Sequence, residues 1–358
     1  MRYSLPRTLA VAFALLATSA LHSQTVEAQS QPQSPAADSK AGPDGNADFY
    51  KGRNVSIIVG FSAGGSFDIY ARAVSRHIGR HIPGNPTVIV QNMPGAGSLK
   101  AVEYLYTVAA RDGTVMATFN HTVPIEPLLG RAKFDTRQLA WLGSVASESS
   151  VCLASARSGI KSLEEARSRQ VTLGGTGRGS DTDMFASVLR TRLGLPIKLV
   201  TGYPGTLEIM LAVQRGEVDG LCGIFYSSLL VGYPEQIAKG ELTMLAQAAI
   251  TPDPALPGVP MILDLAKTEQ QRQILMLLIG PQTMARPYAM PPGSPPARVE
   301  VMRRAFAATM TDPAFLAETK NARMPVTPVY PQRIGEILEQ LHRTPPDVLA
   351  EAIKTFSE

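Results

Sequence analysis

The stretch from Val55 to Arg72, VSIIVGFSAGGSFDIYAR, constrains the fold of this chain more than any other. The apolar, β-branched run that opens it predicts a buried strand, and the glycine-rich segment that follows is too small and flexible to continue one. From Ser66 onward, apolar residues recur at helical spacing, which predicts a helix. Because a glycine-rich turn leaves the N-terminus of a helix free of bulky side chains, its backbone N–H groups and the positive end of its dipole can receive an anion.

The same pattern of strand, polar loop and helix recurs along the first part of the chain. Thr87 to Val90 predicts a second strand before a glycine-containing loop, and Thr114 to Phe119 predicts a third that ends in Asn120-His121-Thr122. Alternating strands and helices are typical of a parallel sheet with right-handed crossovers. Since ligands bind at the carboxyl ends of such strands, we expect these loops, with Asn120 and Thr122, to form one wall of a site.

The middle of the chain repeats this arrangement and predicts a second α/β lobe. Val171 to Leu173 opens into the glycine-rich loop Gly174 to Ser180, and a later strand ends in Thr201 to Gly205. These loops form the expected second wall of the site. Tyr203 and Phe225 are further candidates for this wall, because each ends a strand of the second lobe, and packing against the interlobe helices is the alternative for both. Beyond residue 260 the pattern predicts mainly helices, with residues 287–296 as a loop.

The first 28 residues are typical of a secretory signal peptide. Basic residues at Arg2 and Arg7 precede an apolar core, and Val26-Glu27-Ala28 provides a small-x-small cleavage pattern. The apolar run is shorter than the roughly 20 residues that a membrane span needs. Residues 29–48 are rich in Gln, Ser, Pro, Ala and Gly, which predicts a disordered leader. We therefore expect an exported protein whose folded part begins near Phe49.

The composition argues against several classes of function. The 34 Lys and Arg residues exceed the 30 Asp and Glu residues only slightly, and they are not clustered with aromatic side chains, so nothing favours nucleic-acid binding. No His or Cys cluster has the spacing of metal ligands, and Gly175, Gly177 and Gly179 lack the spacing of a dinucleotide-binding fingerprint. We predict no metal and no cofactor. Cys152 and Cys222 lie on predicted strands of one lobe, and both a disulfide and two buried thiols are compatible with the sequence.

An enzymatic interpretation depends on Gly60-Phe61-Ser62-Ala63-Gly64, which satisfies the G-x-S-x-G pattern of a serine hydrolase between a strand and a helix. That nucleophile elbow normally follows several strands, whereas this one follows the first. Its acid and histidine partners should come later in the chain, where His121 is the sole histidine predicted at a loop edge. We predict no catalytic residues and keep the hydrolase as the weakest alternative.

The loop sequences together resemble one family. The segments Gly60 to Asp68, Asn92 to Gly97, Gly177 to Ser180 and Tyr203 to Asp219 are similar, in the same order, to the signature loops of the solute-binding receptors of tripartite tricarboxylate transporters, also called Bug-type receptors. The resemblance covers the chain from about Phe49 to its C-terminus. It implies a type II periplasmic binding protein, with two α/β lobes joined by a two-stranded hinge.

The resemblance also implies how the chain divides and what it does. Residues 49–148 and 273–358 would form lobe 1 and residues 149–272 lobe 2, with hinge crossings near Ser149 and residue 272. The implied function is capture of a small organic carboxylate in the interlobe cleft by a periplasmic monomer, and its delivery to the membrane subunits of a tripartite transporter. An identical fold could instead serve a receptor that signals to a membrane sensor, and this alternative stays open.

By resemblance, the ligand loops fall on residues 61–68 and 176–182, where backbone N–H groups and hydroxyls would hold a carboxylate. Arg178 could pair with a second carboxylate, and a solvated loop arginine is the alternative. Gly223 stands where many relatives carry an acid that suits an amino group, which argues against an amino-acid ligand. The expected ligand-binding residues are Phe61, Ala63, Gly64, Gly65, Ser66, Asp68, Asn120, Thr122, Thr176, Gly177, Arg178, Ser180, Thr182, Tyr203, Gly205 and Phe225.

Overall fold

The computed structural model describes residues 49–356, and the predicted signal peptide and leader lie outside the described residues. Within this range the strands are Asn54–Val59 (β1), Thr87–Asn92 (β2), Val115–Thr118 (β3), Ala140–Ser144 (β4), Ser150–Ser155 (β5), Val171–Gly175 (β6), Ile197–Thr201 (β7), Gly220–Phe225 (β8), Leu242–Ala248 (β9) and Pro287–Met290 (β10). The α-helices are Ser66–Ile78 (α1), Leu99–Thr107 (α2), Asp181–Thr191 (α3), Thr206–Arg215 (α4), Tyr226–Gly232 (α5), Pro234–Ala238 (α6), Glu269–Ile279 (α7), Pro296–Thr311 (α8), Pro313–Asn321 (α9), Pro331–His342 (α10) and Pro346–Lys354 (α11).

The first lobe is built on a five-stranded sheet of order β2-β1-β3-β10-β4. Strand β1 pairs in parallel with β2 and β3, so the three carboxyl ends lie along one edge, as predicted. Strand β10 lies antiparallel between β3 and β4. The prediction of a loop over residues 287–296 is therefore wrong at its start, because prolines on both sides of this short apolar segment conceal a buried strand.

The second lobe is built on another five-stranded sheet, of order β7-β6-β8-β5-β9. Strand β6 is parallel to β7 and β8, whereas β5 is antiparallel to β8 and β9. Strand β4 ends at Ser144 in the first sheet and β5 begins at Ser150 in the second, so residues 145–149 form one connection between the lobes. Both sheets present strand ends and helix N-termini toward the space between the lobes.

The two segments that connect the lobes pair with each other. The Val145 N–H donates to Arg286 O at 3.1 Å, and the Ala285 N–H donates to Ala146 O at 3.0 Å. A further hydrogen bond runs from Glu148 N to Gln282 O at 3.4 Å. The crossings thus form an antiparallel two-stranded hinge, and the predicted fold class is confirmed. Residue 272, the predicted second crossing, lies within α7.

The C-terminal helix α11 packs against α7 and reaches the second lobe. Arg192, which follows α3, donates from Nε to Thr355 Oγ1 at 2.7 Å and pairs with Glu351 at 3.4 Å. The assignment of residues 273–358 to lobe 1 stays a prediction. None of the helices in the described part of the chain has the length and apolar character that a membrane crossing requires.

A disulfide joins Cys152 of β5 to Cys222 of β8, with an S–S distance of 2.06 Å. The two strands are antiparallel neighbours at the centre of the second sheet. Both sulfur-bearing side chains are almost fully buried. Of the two arrangements that the sequence left open, the structure has the bonded one, and it ties together residues that are 70 positions apart in the chain.

Candidate functional site

A cavity lies between the lobes, where the loop before α1 faces the loop before α4. Its larger part has an empty volume of about 630 Å³ and adjoins a smaller part of about 390 Å³. The two parts share Gly65, Ser66, Thr206 and Ile224, and we call them together the interlobe cavity. Residues that line it are Phe61, Gly64, Gly65, Ser66, Phe67, Ile69, Tyr70, Thr176, Asp181, Gly205, Thr206, Leu207, Gly223, Ile224, Phe225, Ser228, Val231, Gly232, Tyr233 and Met324.

The N-terminus of α1 opens into this cavity. The helix begins at Ser66, and its N-cap Gly65 provides no side-chain hydrogen bond, so the first-turn N–H groups stay available to a ligand. Gly64 has φ of 81°, a conformation that favours glycine, and its N–H donates to Asp68 Oδ2 at 2.9 Å. This bond closes the turn that precedes the helix.

Asp68 stabilises the turn and lies outside the cavity lining. Its carboxylate accepts from Arg72 Nε at 2.8 Å and from Asn92 Nδ2 at 2.9 Å, in addition to the Gly64 N–H. Burial opposes ionisation, yet these hydrogen bonds hold the pKa of Asp68 below its usual range. The carboxylate is therefore already saturated by its own loop and helix.

The N-terminus of α4, from the second lobe, reaches the same cavity. This helix begins at Thr206, and its N-cap Gly205 again makes no side-chain hydrogen bond. Each N-terminus carries a partial positive charge from the helix dipole. Two uncapped helix ends, one from each lobe, thus face one cavity, and an anion between them would interact favourably with both.

The loop at residues 176–182 differs, because its polar groups are used internally. The Ser180 hydroxyl caps α3 by accepting from Asp183 N at 3.3 Å and donates to Gly177 O at 2.7 Å. Thr176 N donates to Thr182 Oγ1 at 2.9 Å. Thr176 lines the cavity, whereas Arg178 is exposed and lies outside the lining. This loop has few donors left for a ligand.

Direct hydrogen bonds between the lobes involve further residues that the sequence predicts for the ligand site. Asn120 Nδ2 donates to Asp181 Oδ1 at 2.8 Å, and Thr122 Oγ1 donates to Gly179 O at 2.5 Å. Gly97 N donates to Thr176 O at 3.3 Å. The groups of Asn120, Thr122 and Gly97 thus join the lobes at the edge of the cavity, outside its lining, whereas their partners Thr176 and Asp181 line it.

Of the sixteen expected ligand-binding residues, the structure brings about half to the cavity. The lining includes Phe61, Gly64, Gly65, Ser66, Thr176, Gly205 and Phe225. Outside the lining lie Ala63, Asp68, Asn120, Thr122, Gly177, Arg178, Ser180, Thr182 and Tyr203. Sequence reasoning missed Thr206 and Ser228, although Gly205-Thr206 repeats the pattern of Gly65-Ser66, a glycine followed by a hydroxyl residue at the start of a helix.

Two buried titratable groups lie beside the cavity. Burial raises the pKa of Asp181 to about 7, although its hydrogen bond with Asn120 opposes this shift. Burial also lowers the pKa of His121 to about 3, with the charge of Arg286 acting in the same direction. The imidazole is therefore neutral at pH 7, and its ring lies 5.3 Å from that of Phe225.

Arg286 lies in the hinge, fully buried beneath the cavity. Its Nε donates to Glu148 Oε1 at 2.6 Å, and both side chains are almost inaccessible to solvent. Burial would lower the pKa of Arg286, but the Glu148 carboxylate keeps it above its ordinary value, so the guanidinium remains charged. Three aromatic rings surround the guanidinium carbon at 4.0 to 5.3 Å, those of Tyr70, Phe225 and Phe67.

The geometry at Ser62 does not match a hydrolase. The Ser62 hydroxyl donates to Glu208 Oε2 at 2.9 Å, across the cleft, so its partner is a carboxylate and not a histidine. Both ring nitrogens of His121 are buried without a partner among residues 49–356. In the same part of the chain, no group of three or more His, Cys, Asp or Glu is arranged to hold a metal ion.

The two five-stranded sheets, the paired hinge segments and the cavity between the lobes define a protein with the two-lobed periplasmic-binding-protein fold. Residues 71–346, more than half of the chain, match the family model described as "Tripartite tricarboxylate transporter family receptor". The chain belongs to this family. The predicted receptor class is thereby confirmed, and with it the prediction that the chain is not an enzyme, since family members and structural neighbours are solute-binding receptors.

Two curated relatives are similar over much of the chain. A protein in the gbd 5′ region of Cupriavidus necator, of the UPF0065 group, is 26% identical over 277 residues, which cover 75% of this chain and 78% of the relative. The BugT protein of Bordetella pertussis is 23% identical over 240 residues, which cover 63% of this chain and 69% of BugT.

Solved structures share the fold. The periplasmic binding protein BugD has a TM-score of 0.68 at 20% identity, with 86% of this chain and 99% of that chain covered. MatC from Rhodopseudomonas palustris with bound malate has a TM-score of 0.63 at 19% identity, over 85% of this chain and 98% of MatC. Another R. palustris protein, with adipate, has a TM-score of 0.63 at 17% identity, with 85% of this chain and 98% of that protein covered.

Proposed function

We propose that this chain captures a small organic carboxylate in the interlobe cavity and delivers it to the membrane subunits of a tripartite transporter, after export by its N-terminal signal peptide. One observation carries the proposal: the uncapped N-termini of α1 and α4 enter the same cavity from opposite lobes. A carboxylate between the two N-termini would accept hydrogen bonds from both helices and so join the lobes. Binding would therefore favour the closed arrangement of the lobes.

The energetics suit such a ligand. Each charge-assisted hydrogen bond from a helix N-terminus or hydroxyl contributes about 1.5 to 3 kcal/mol net. Micromolar affinity requires about 8 kcal/mol, so two bonds from each lobe are sufficient. Apolar side chains complete the lining, among them Ile69, Leu207 and Val231, and they would cover the carbon skeleton of the ligand. The structural neighbours that hold malate and adipate support a carboxylate as the ligand class.

Binding is tested with the refolded mature chain, residues 29–358, in a thermal-shift screen followed by calorimetric titration. The screen contains malate, adipate, benzoate and the corresponding amides. A ligand at about 100 times its dissociation constant adds about 2.7 kcal/mol of stability. We expect a clear shift with at least one acid. Binding of an amide, with no response to any acid, would contradict the proposal.

The role of the captured ligand is tested in cells that lack the protein. If the receptor feeds a transporter, uptake of the radiolabelled acid is lost and returns with the wild-type gene. If it serves a membrane sensor, uptake is unchanged and only the response to the acid is lost. This second result would contradict delivery to a transporter while leaving ligand capture intact.

A further inference from the structure

We infer that Arg286 determines the ligand specificity of the interlobe cavity, by holding the hydroxyls of Ser66 and Ser228 so that both present a donor to the ligand. Arg286 is a positioning residue in this account, because it lines neither part of the cavity. The inference deepens the proposed function and rests on it, since it states which chemical groups the carboxylate receptor accepts and which it rejects.

The guanidinium has one edge toward the cavity and one away from it. Its terminal nitrogens donate to Ser228 Oγ at 3.1 Å and to Ser66 Oγ at 3.4 Å, and both serines line the cavity. Its Nε donates to Glu148, which is outside the cavity lining. The ion pair is therefore oriented, with its positive end beneath the ligand space and its negative end turned away.

This orientation fixes the hydrogen-bonding role of the two serines. A guanidinium has donors only, so each serine oxygen must accept from it. Among the described residues, neither the Ser66 nor the Ser228 hydroxyl proton has an acceptor. Each proton is free to donate into the cavity that the side chain lines, and the empty site thus presents two hydroxyl donors above a buried positive charge.

The neighbouring Ser227 shows what happens when an acceptor is close. Its hydroxyl accepts from Arg286 at 3.5 Å and donates to the Glu148 carboxylate, so both of its roles are used within the protein. Ser227 also lines no part of the interlobe cavity. Ser66 and Ser228 accept hydrogen bonds from the same guanidinium, but their hydroxyl protons remain available to a ligand.

A cavity that presents two hydroxyl donors favours ligand groups that accept hydrogen bonds. A carboxylate accepts from both hydroxyls and is attracted by the positive end of the ion pair. An ammonium group would leave the hydroxyl protons without acceptors in a buried site, which is unfavourable, and a neutral amide offers only an uncharged carbonyl oxygen, which accepts a weaker hydrogen bond than a carboxylate does. The absence of an acidic side chain at Gly223, which lines the same cavity, agrees with rejection of amino groups.

The selectivity is measured by calorimetric titration of the mature protein with adipate and with adipamide, its neutral diamide. We expect Ser228→Ala to weaken adipate binding about tenfold, which corresponds to about 1.4 kcal/mol, and adipamide binding no more than about twofold. Ser294→Ala is the matched control, because Ser294 and Ser228 are both 8% exposed and the Ser294 hydroxyl donates to Pro291 O. Equal losses for acid and diamide in Ser228→Ala would overturn the inference.

Arg286 itself is tested in the double variant Arg286→Met/Glu148→Gln. It removes both charges together, so the net charge is unchanged and no unpaired charge stays buried, and the aromatic rings around Arg286 suit a thioether. We expect the preference for adipate over adipamide to fall about tenfold. An unchanged preference in the folded double variant would contradict the role of Arg286. If the double variant does not fold, the titrations of Ser228→Ala with adipate and adipamide test the inference.

Failure of the inference differs from failure of the proposed function. A wild-type protein that binds adipamide as tightly as adipate contradicts the inference and leaves the receptor in place. A wild-type protein that binds none of the screened acids contradicts the proposed function. The inference is then decided by neutron diffraction from deuterated crystals, in which the deuterons of Ser66 and Ser228 should point into the cavity, and deuterons directed at protein carbonyls would overturn it.

Discussion

Gly97 of the first lobe lies so close to Ser180 of the second that a Cβ atom on Gly97 would stand 2.5 Å from the Ser180 backbone nitrogen. At the same place the Gly97 N–H donates to Thr176 O at 3.3 Å. The loop that contains Gly97 therefore closes the edge of the cleft by direct contact between the lobes. Ligand and lobe contacts act together, because both exist only in the closed arrangement.

Gly97→Ala should favour the open receptor. The added methyl group has no space between the closed lobes, so closure would require the loop to shift. We expect an increase in the radius of gyration by small-angle scattering and a loss of affinity of about tenfold. Gly194→Ala is the control, since Gly194 has a similar φ of 68° and nothing within 4 Å of its added Cβ. Equal effects of both variants would show that backbone strain, and not contact between the lobes, causes the loss of affinity.

Ser66→Ala and Ser180→Ala should have opposite consequences. Ser66 lines the cavity, so its loss should weaken carboxylate binding by about 1 to 3 kcal/mol with little change in melting temperature. Ser180 caps α3, so its loss should reduce the free energy of unfolding by about 1 kcal/mol and leave affinity almost unchanged. Calorimetry and thermal unfolding separate the two. A larger loss of affinity in Ser180→Ala than in Ser66→Ala would indicate that the ligand binds to the loop at residues 176–182.

Asp181 should make stability and binding depend on pH. Its folded pKa of about 7 lies above its ordinary value of 3.8, so the stability it contributes is present below pH 3.8 and is lost as pH rises through about 7. Asp181→Asn keeps the oxygen that accepts from Asn120 and removes the titration. We expect the stability of the variant, relative to wild type, to rise between about pH 4 and 7, by up to ~1.4 kcal/mol for each pH unit, and to stay level above pH 7.

Carboxylate affinity provides a second readout of Asp181, because this residue lines the cavity. Ionisation above about pH 7 places a negative charge beside the ligand, so the affinity of the wild type should fall there while that of Asp181→Asn stays constant. His121 acts in the opposite direction on stability. Its folded pKa of about 3 lies below 6.5, so its contribution is present above pH 6.5 and is lost as pH falls. Parallel pH profiles of wild type and Asp181→Asn would show that Asp181 does not titrate in this range.

The disulfide should stabilise the second lobe. It closes a long loop, with its cysteines 70 residues apart, and such a bond contributes about 2 to 4 kcal/mol, mainly by restricting the unfolded chain. We expect the midpoint of urea unfolding to fall when reductant is present. The double variant Cys152→Ala/Cys222→Ala controls for packing, since reductant should not change its midpoint. A wild-type midpoint that is insensitive to reductant would contradict a stabilising bond.

The sequence predicts the strand, glycine-rich turn and helix at residues 55–72 well, because local signals agree there: β-branched residues, then glycines, then helical periodicity. The structure has β1 at Asn54–Val59 and α1 at Ser66–Ile78. The same local signals do not reveal β10, a four-residue strand that pairs with β3 and β4, both distant in sequence. Antiparallel pairing at this distance leaves no periodic signal in so short a segment.

The site is harder to predict than the fold for a related reason. Asn120 and Thr122 follow a strand at the expected edge, but the opposite lobe takes up their hydrogen bonds. Arg286 has no motif of its own, and its position under the cavity results from the pairing of the two hinge segments. Thr206 could have been found, since it follows a glycine at the start of a helix, as Ser66 does.

The most direct test of the central claim is a crystal structure of the mature protein with the tightest-binding acid from the screen. We expect a carboxylate between the lobes, with its oxygens within hydrogen-bonding distance of the backbone N–H groups at the starts of α1 and α4, close to Ser66 and Thr206. A second pocket is lined by Ser149, Tyr226, Lys320 and Arg323, and a carboxylate bound there, with the interlobe cavity empty, would contradict carboxylate capture between the lobes.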